Sequence, residues 1–141
     1  PILYNARRYQ SWEINTKYDP LYPFGYGLSY TRFEYTNLVL PSQTKIGAGI
    51  DVQLTVKNTG EMAGKEVVQV YLEDLYASVT RPLKSLKAFR KIHLEPQEEK
   101  TLVIHLDSEA LSLYDEELVL VEEPRVIKLL VGNLSQQFEI L

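Results

Sequence analysis

Seven carboxylates stand where acid–base chemistry could be built: Asp19, Asp74, Asp115, Glu116, Glu117, Glu122 and Glu123. Two carboxyl groups facing each other across a cleft are the machinery of glycosidic bond cleavage, about 5–5.5 Å apart for retention and wider for inversion. Such a pair needs a cleft that raises the pKa of one carboxyl and not of the other. Here the acids fall in turns and near strand edges of a small β-domain, so they read as solvated charges. No catalytic residue is assigned.

The other chemistry-bearing residues give equally plain readings. His93 and His105 are the only histidines, each expected to face outward from a strand. Neither HxH nor HExxH spacing occurs and no third ligand accompanies them, so no metal site is expected. There is no G-x-S-x-G nucleophile elbow, and Gly47-Ala48-Gly49 lacks the rest of a phosphate-binding pattern and reads as a turn. Arg81, Lys84, Lys87, Arg90 and Lys91 form a basic run without acids or interleaved aromatics. It reads as a charged edge strand that discourages sheet-to-sheet association, with docking on an acidic neighbouring domain as the alternative; Phe89 within it is expected to point inward. Asn133-Leu134-Ser135 is a lone glycosylation sequon.

The uneven feature is aromatic. Of 10 Tyr, 4 Phe and 1 Trp, two thirds lie within the first 35 residues: Tyr4, Tyr9, Trp12, Tyr18, Tyr22, Phe24, Tyr26, Tyr30, Phe33 and Tyr35. Pro20, Pro23, Gly25 and Gly27 break that segment into turns. Each ring carries about 150–250 Å² of surface, and leaving several exposed produces a patch that marks a binding surface. Two roles compete: a sugar-stacking platform, with Trp12 and Tyr18 as candidate contacts, or a strap docked on another domain through Tyr22, Pro23, Phe24, Tyr26, Leu28 and Tyr30. A platform wants rings held coplanar on rigid strands, and this backbone winds, which favours the strap.

The elements that must position these residues are strands. Phe33–Leu40 is a first strand, and Ile50, Val52, Leu54 and Val56 alternate with polar residues as a half-buried strand does. Val67–Leu72 is apolar at nearly every position and predicts a central strand covered on both faces. Leu86–Leu94 is a weaker strand whose alternation slips near Phe89, as at a bulge. Leu102, Ile104 and Leu106 alternate again. Asp107–Leu111 predicts one helical turn capped by Asp107 or Ser108. Leu113–Val121 and Val126–Val131 complete the series, with Gln137–Leu141 as an added edge. About seven short strands separated by turn signals predict an all-β, immunoglobulin-like sandwich over residues 33–141, preceded by an irregular junction segment over residues 1–32.

The 141 residues carry a net charge of −4 and no cysteine, which gives no reason to expect nucleic acid or an anionic membrane as partner and excludes disulfides and thiolate metal sites. No apolar run approaches the roughly 18 residues of a membrane-spanning helix. The chain starts Pro1-Ile2-Leu3-Tyr4 and its single methionine is Met62, so it reads as a segment of a longer polypeptide.

Against this background the motifs match a known family. "PLYPFGYGLSYTRFEY" (Pro20 to Tyr35) resembles the junction segment of family 3 glycoside hydrolases, the β-glucosidases, β-xylosidases and related exo-acting enzymes. "TVKNTGEMAGKEVVQVYLED" (Thr55 to Asp74) and "ASVTRPLKSLKAFRKIHLEPQEEKTLVIHL" (Ala77 to Leu106) are similar to two further stretches of that family, and "LVGN" (Leu130 to Asn133) to a fourth. The resemblance covers about residues 18–135. It implies a fibronectin type III-like sandwich, non-catalytic and without a cofactor, whose partners are a (β/α)8 barrel and an α/β sandwich of the same parent chain. The parent is then expected to hydrolyse terminal β-D-glycosyl residues, β-D-glucosyl above all, with retention. The family's catalytic motifs do not occur in these residues. Three departures concern glycines: Ala88 and Gln97 stand where the family has glycine, and Glu122-Glu123-Pro124-Arg125 replaces a usual "EPG" turn.

Overall fold

The computed structural model describes residues 29–74, 84–114 and 119–141. Seven longer strands build the sandwich among these residues: β1 (Phe33–Val39), β3 (Ile50–Asn58), β4 (Gly64–Asp74), β5 (Ser85–Leu94), β6 (Glu99–Leu106), β9 (Arg125–Val131) and β10 (Leu134–Ile140). Three two-residue strands accompany them: β2 (Gln43–Thr44), β7 (Leu113–Tyr114) and β8 (Leu120–Val121). One sheet has the order β1-β3-β6, the other β2-β10-β9-β4-β5. The expected all-β sandwich is what the chain forms.

Side-chain alternation sets the register. In β3 and β6, Val52 lies opposite Ile104 and Leu54 opposite Leu102, so both apolar stripes face the second sheet. There they meet Val68, Val70, Leu72, Ile127, Leu129, Val131, Phe138 and Ile140, all buried. Burying each such side chain contributes about 1.5–3 kcal/mol relative to leaving it in water. A one-residue slip would turn the whole stripe to solvent, which pins the pairing.

The single turn of helix, α1 (Ser108–Leu111), has Asp107 as its N-cap, the side chain accepting the Ala110 N–H at 2.8 Å. The cap lets the chain turn sharply after β6 and drop Leu111 into the core.

Four expectations need correction. Phe89 does not point inward: it is 69% exposed. The cause is a bulge. Val70 pairs with Ala88 but Tyr71 with Leu86, so Lys87 is an extra residue and the phase of β5 shifts there. Second, β4 is interior to its sheet, yet Val67 is exposed on the outer face; apolar content marked the strand's place in the sheet, not its cover. Third, Leu113–Val121 is not one strand but the ends of two, β7 and β8, paired antiparallel. Fourth, β10 is no edge: the short β2 pairs with it in parallel, held by the Glu139 N–H donating to the Ser42 carbonyl at 3.0 Å and the Leu141 N–H to the Thr44 carbonyl at 2.9 Å.

Candidate interdomain junction

Residues 29–32 lead into β1 at one end of the sandwich. Asn58, the last residue of β3, is fully buried there. Its Nδ2 donates to the Met62 carbonyl at 2.8 Å and the Leu94 carbonyl at 3.2 Å. Its Oδ1 accepts from Thr31 Oγ1 at 2.7 Å and the Gly60 N–H at 3.0 Å. Two donors and two acceptor sites are all an amide side chain has, and all are used. The Thr59 N–H adds a bond to the Arg32 carbonyl at 2.8 Å. A Cβ on Gly60 would lie 2.0 Å from Thr31 Oγ1, so the Asn-Thr-Gly run is the socket that receives Thr31.

The β5–β6 turn closes over this socket. Gln97, in the left-handed region at φ 63°, donates from Nε2 to the Thr59 and Gly60 carbonyls at 3.3 Å. The side chain thus offers bonds that a glycine could not, at the expense of a backbone conformation glycine adopts freely. Beside it Glu98 accepts the Glu95 N–H at 2.7 Å and pairs with Lys100 at 3.1 Å; these bonds, the backbone one first, hold its carboxyl below the usual range.

Immediately before the socket, Tyr30 is 97% exposed. It borders an open hollow of about 380 Å³ lined by Ser29, Tyr30, Ala63, Gly64, Lys65 and His93. Two residues after β1 begins, Tyr35 crosses to the other sheet and donates to Glu66 at 2.6 Å. Burial, then the Glu66 hydrogen bond and charge, push its phenol well above the ordinary tyrosine range. The ring lies under the β9–β10 turn: a Cβ on Gly132 (φ 56°) would come within 2.9 Å of it. The "LVGN" motif is therefore a lid on Tyr35, with Asn133 exposed at its tip.

The opposite end is tied by charge. Arg125, 4% exposed in its side chain, donates from Nε to Asp74 at 2.8 Å. Its two other nitrogens reach the Glu123 carbonyl at 3.3 Å and the Leu111 carbonyl. Arg125 is thus a buried clamp, not a substitute for a turn glycine. Glu122 accepts the Gly47 N–H at 2.8 Å and Ser108 Oγ at 2.5 Å.

The sequence candidates are scattered over these places. Tyr30 is the one proposed docking residue among the described residues; Tyr22, Pro23, Phe24, Tyr26 and Leu28, and the proposed sugar contacts Trp12 and Tyr18, lie outside them, as do Asp19, Arg81, Asp115, Glu116 and Glu117. His93 and His105 are exposed and sit beside separate carboxylates, Glu95 at 3.0 Å and Asp51 at 2.7 Å. Asn58 and the Tyr35–Gly132 contact were missed; an asparagine ending an apolar strand ahead of Thr-Gly was the available signal.

Two packed sheets, antiparallel but for the β2–β10 pair, form a fibronectin type III-like β-sandwich, and residues 66–135 match the family model described as a fibronectin type III-like domain. A β-glucosidase of Bacteroides ovatus is 47% identical over 126 residues, covering 88% of this chain and 17% of that protein. A β-xylosidase of Formosa agariphila is 43% identical over 118 residues, 83% of this chain and 16% of that protein. The solved β-glucosidase of Listeria innocua in complex with laminaribiose superposes with a TM-score of 0.85 at 42% identity, over 96% of this chain and 19% of its own. The chain belongs to the fibronectin type III-like domains of family 3 glycoside hydrolases. It spans less than a fifth of the length of these relatives.

Proposed function

We propose that this chain is a non-catalytic structural module of a larger hydrolase that removes terminal, non-reducing β-D-glucosyl residues by a retaining double displacement. Residues 1–32 act as the junction strap and residues 33–141 as the sandwich that anchors it. Tyr22, Pro23, Phe24, Tyr26, Leu28 and Tyr30 dock on the catalytic domains, a (β/α)8 barrel and an α/β sandwich, and steady the walls of their active site.

The observation that carries this reading is the Asn58 socket. A fully satisfied, buried amide holds the Thr31 hydroxyl and the Thr59 N–H holds the Arg32 carbonyl, while Tyr30, one residue before Thr31, is almost wholly exposed. The sandwich holds the end of the strap rigidly and leaves its rings to another surface. The lengths of the relatives supply room for that surface.

In the full-length enzyme, F24A/Y26A is expected to lower melting temperature and β-glucosidase activity together. Unchanged values for both would sink the docking role. A carbohydrate-binding role for Trp12 and Tyr18 predicts instead that cello- or xylo-oligosaccharides saturate a change in Trp12 fluorescence.

A further inference from the structure

The outer face of the β4–β5 ribbon carries a surface that the strap reading does not use. Paired residues share a face of a sheet, and here the pairs are Lys65 with His93, Val67 with Lys91 and Gln69 with Phe89. Phe89 is 69% and Val67 39% exposed, at diagonal positions of successive pairs on this face. Lys91 lies opposite Val67 and next to Phe89 on the same face of β5, Lys65 lies beyond Val67 on β4, and neither lysine makes an ion pair among the described residues. Protection of an edge strand accounts for Lys91 on β5; it accounts neither for Lys65 on the interior strand β4 nor for an exposed phenylalanine next to Lys91. An exposed phenylalanine and valine bordered by lysines have the anatomy of a contact with an apolar core and a charged rim.

We propose that this face is a second docking surface, occupied by a neighbouring module of the same parent polypeptide that presents an apolar seat ringed by Asp and Glu. The inference rests on the reading of the chain as one module of a larger hydrolase. Charge complementarity is one argument for that occupant, since Lys65 and Lys91 want acidic partners. Continuity is the other. The face runs directly into the hollow lined by Ser29, Tyr30, Lys65 and His93, where the chain continues N-terminally through 28 more residues. A module tethered at that point meets the Phe89 face at high effective concentration, so a modest patch suffices to hold it.

Lysine acetylation of the full-length enzyme, read by mass spectrometry, tests this. Lys65 and Lys91 are expected to react on the order of tenfold more slowly than the exposed Lys45, as groups in a contact rim do. F89D should bring both toward the Lys45 rate without changing the β-sheet circular dichroism. Equal rates in the unmodified enzyme, or protection that survives F89D, overturn the proposal. So does protection that vanishes on dilution together with a dimer, because a second copy is then the occupant. Failure of the strap reading is separate: F24A/Y26A then changes neither melting temperature nor activity, while Lys65 and Lys91 stay protected.

Discussion

The two ends of the sandwich solve the same problem with opposite chemistry. At the junction end a neutral amide, Asn58, gathers Thr31, Gly60, Met62 and Leu94. At the far end a guanidinium, Arg125, gathers Asp74, Glu123 and Leu111. A neutral hub costs little to desolvate and fixes backbone positions closely, which suits a point where another segment must leave in a set direction. A buried cation costs several kcal/mol to desolvate and recovers it only with its partner in place. The far end is therefore the more fragile to single substitutions.

The largest effect should come from R125M, which strands Asp74 and two carbonyls: about 3–4 kcal/mol lost in urea unfolding of the chain. Pairing it with D74L should recover much of that loss. Because the Arg125 side chain is buried, the cost should change little between low and high salt. N58L should follow at about 2–3 kcal/mol, from buried polar groups left without partners. If N58L proved costlier than R125M, the contrast between the ends would be reversed.

G132A comes next, at about 1–2 kcal/mol, because the added methyl meets the Tyr35 ring in a backbone conformation that disfavours side chains. Its neighbour gives a pH test. The Tyr35 phenol has a raised folded pKa, so the stability it contributes is complete below the ordinary tyrosine value near 10 and is lost as pH rises through the folded value. Absorbance at 295 nm should show Tyr35 ionising only with unfolding; Y35F should remove the alkaline sensitivity and cost about 1 kcal/mol. The smallest effect is favourable. Q97G should relieve the left-handed backbone and stabilise by about 0.5–1 kcal/mol, less what the two exposed amide bonds contribute. A destabilised Q97G would mean that those bonds to Thr59 and Gly60 hold the socket shut.

The sequence disclosed whatever depends on local alternation. Val52, Leu54, Ile104 and Leu106 could be placed inward, and Asp107 at a helix cap, because each rests on residues two to four apart. Phe89 could not be oriented, since one extra residue at Lys87 inverts every later side chain of β5. The interior position of β10 was equally hidden, because its cover is a two-residue strand almost a hundred residues away. Of the proposed docking residues, Tyr30 alone falls among the described residues, where it is exposed. The socket that fixes it was hidden, because an asparagine before Thr-Gly reads locally as a turn and only the fold shows that it is buried.

The parallel pairing of β2 with β10 has a consequence in time. Gln43 meets Glu139 at 3.1 Å across 96 positions, and β10 separates β2 from the rest of its sheet. During synthesis the earlier strands must wait, with Ile50, Val52 and Leu54 lacking part of their cover, until residues 134–140 have left the ribosome. Pairings this distant in sequence are slow to form, and the waiting chain exposes strand edges that invite aggregation. The module is expected to fold as one late, cooperative step, so truncations just short of β10 should accumulate as insoluble chains and not as smaller folded domains.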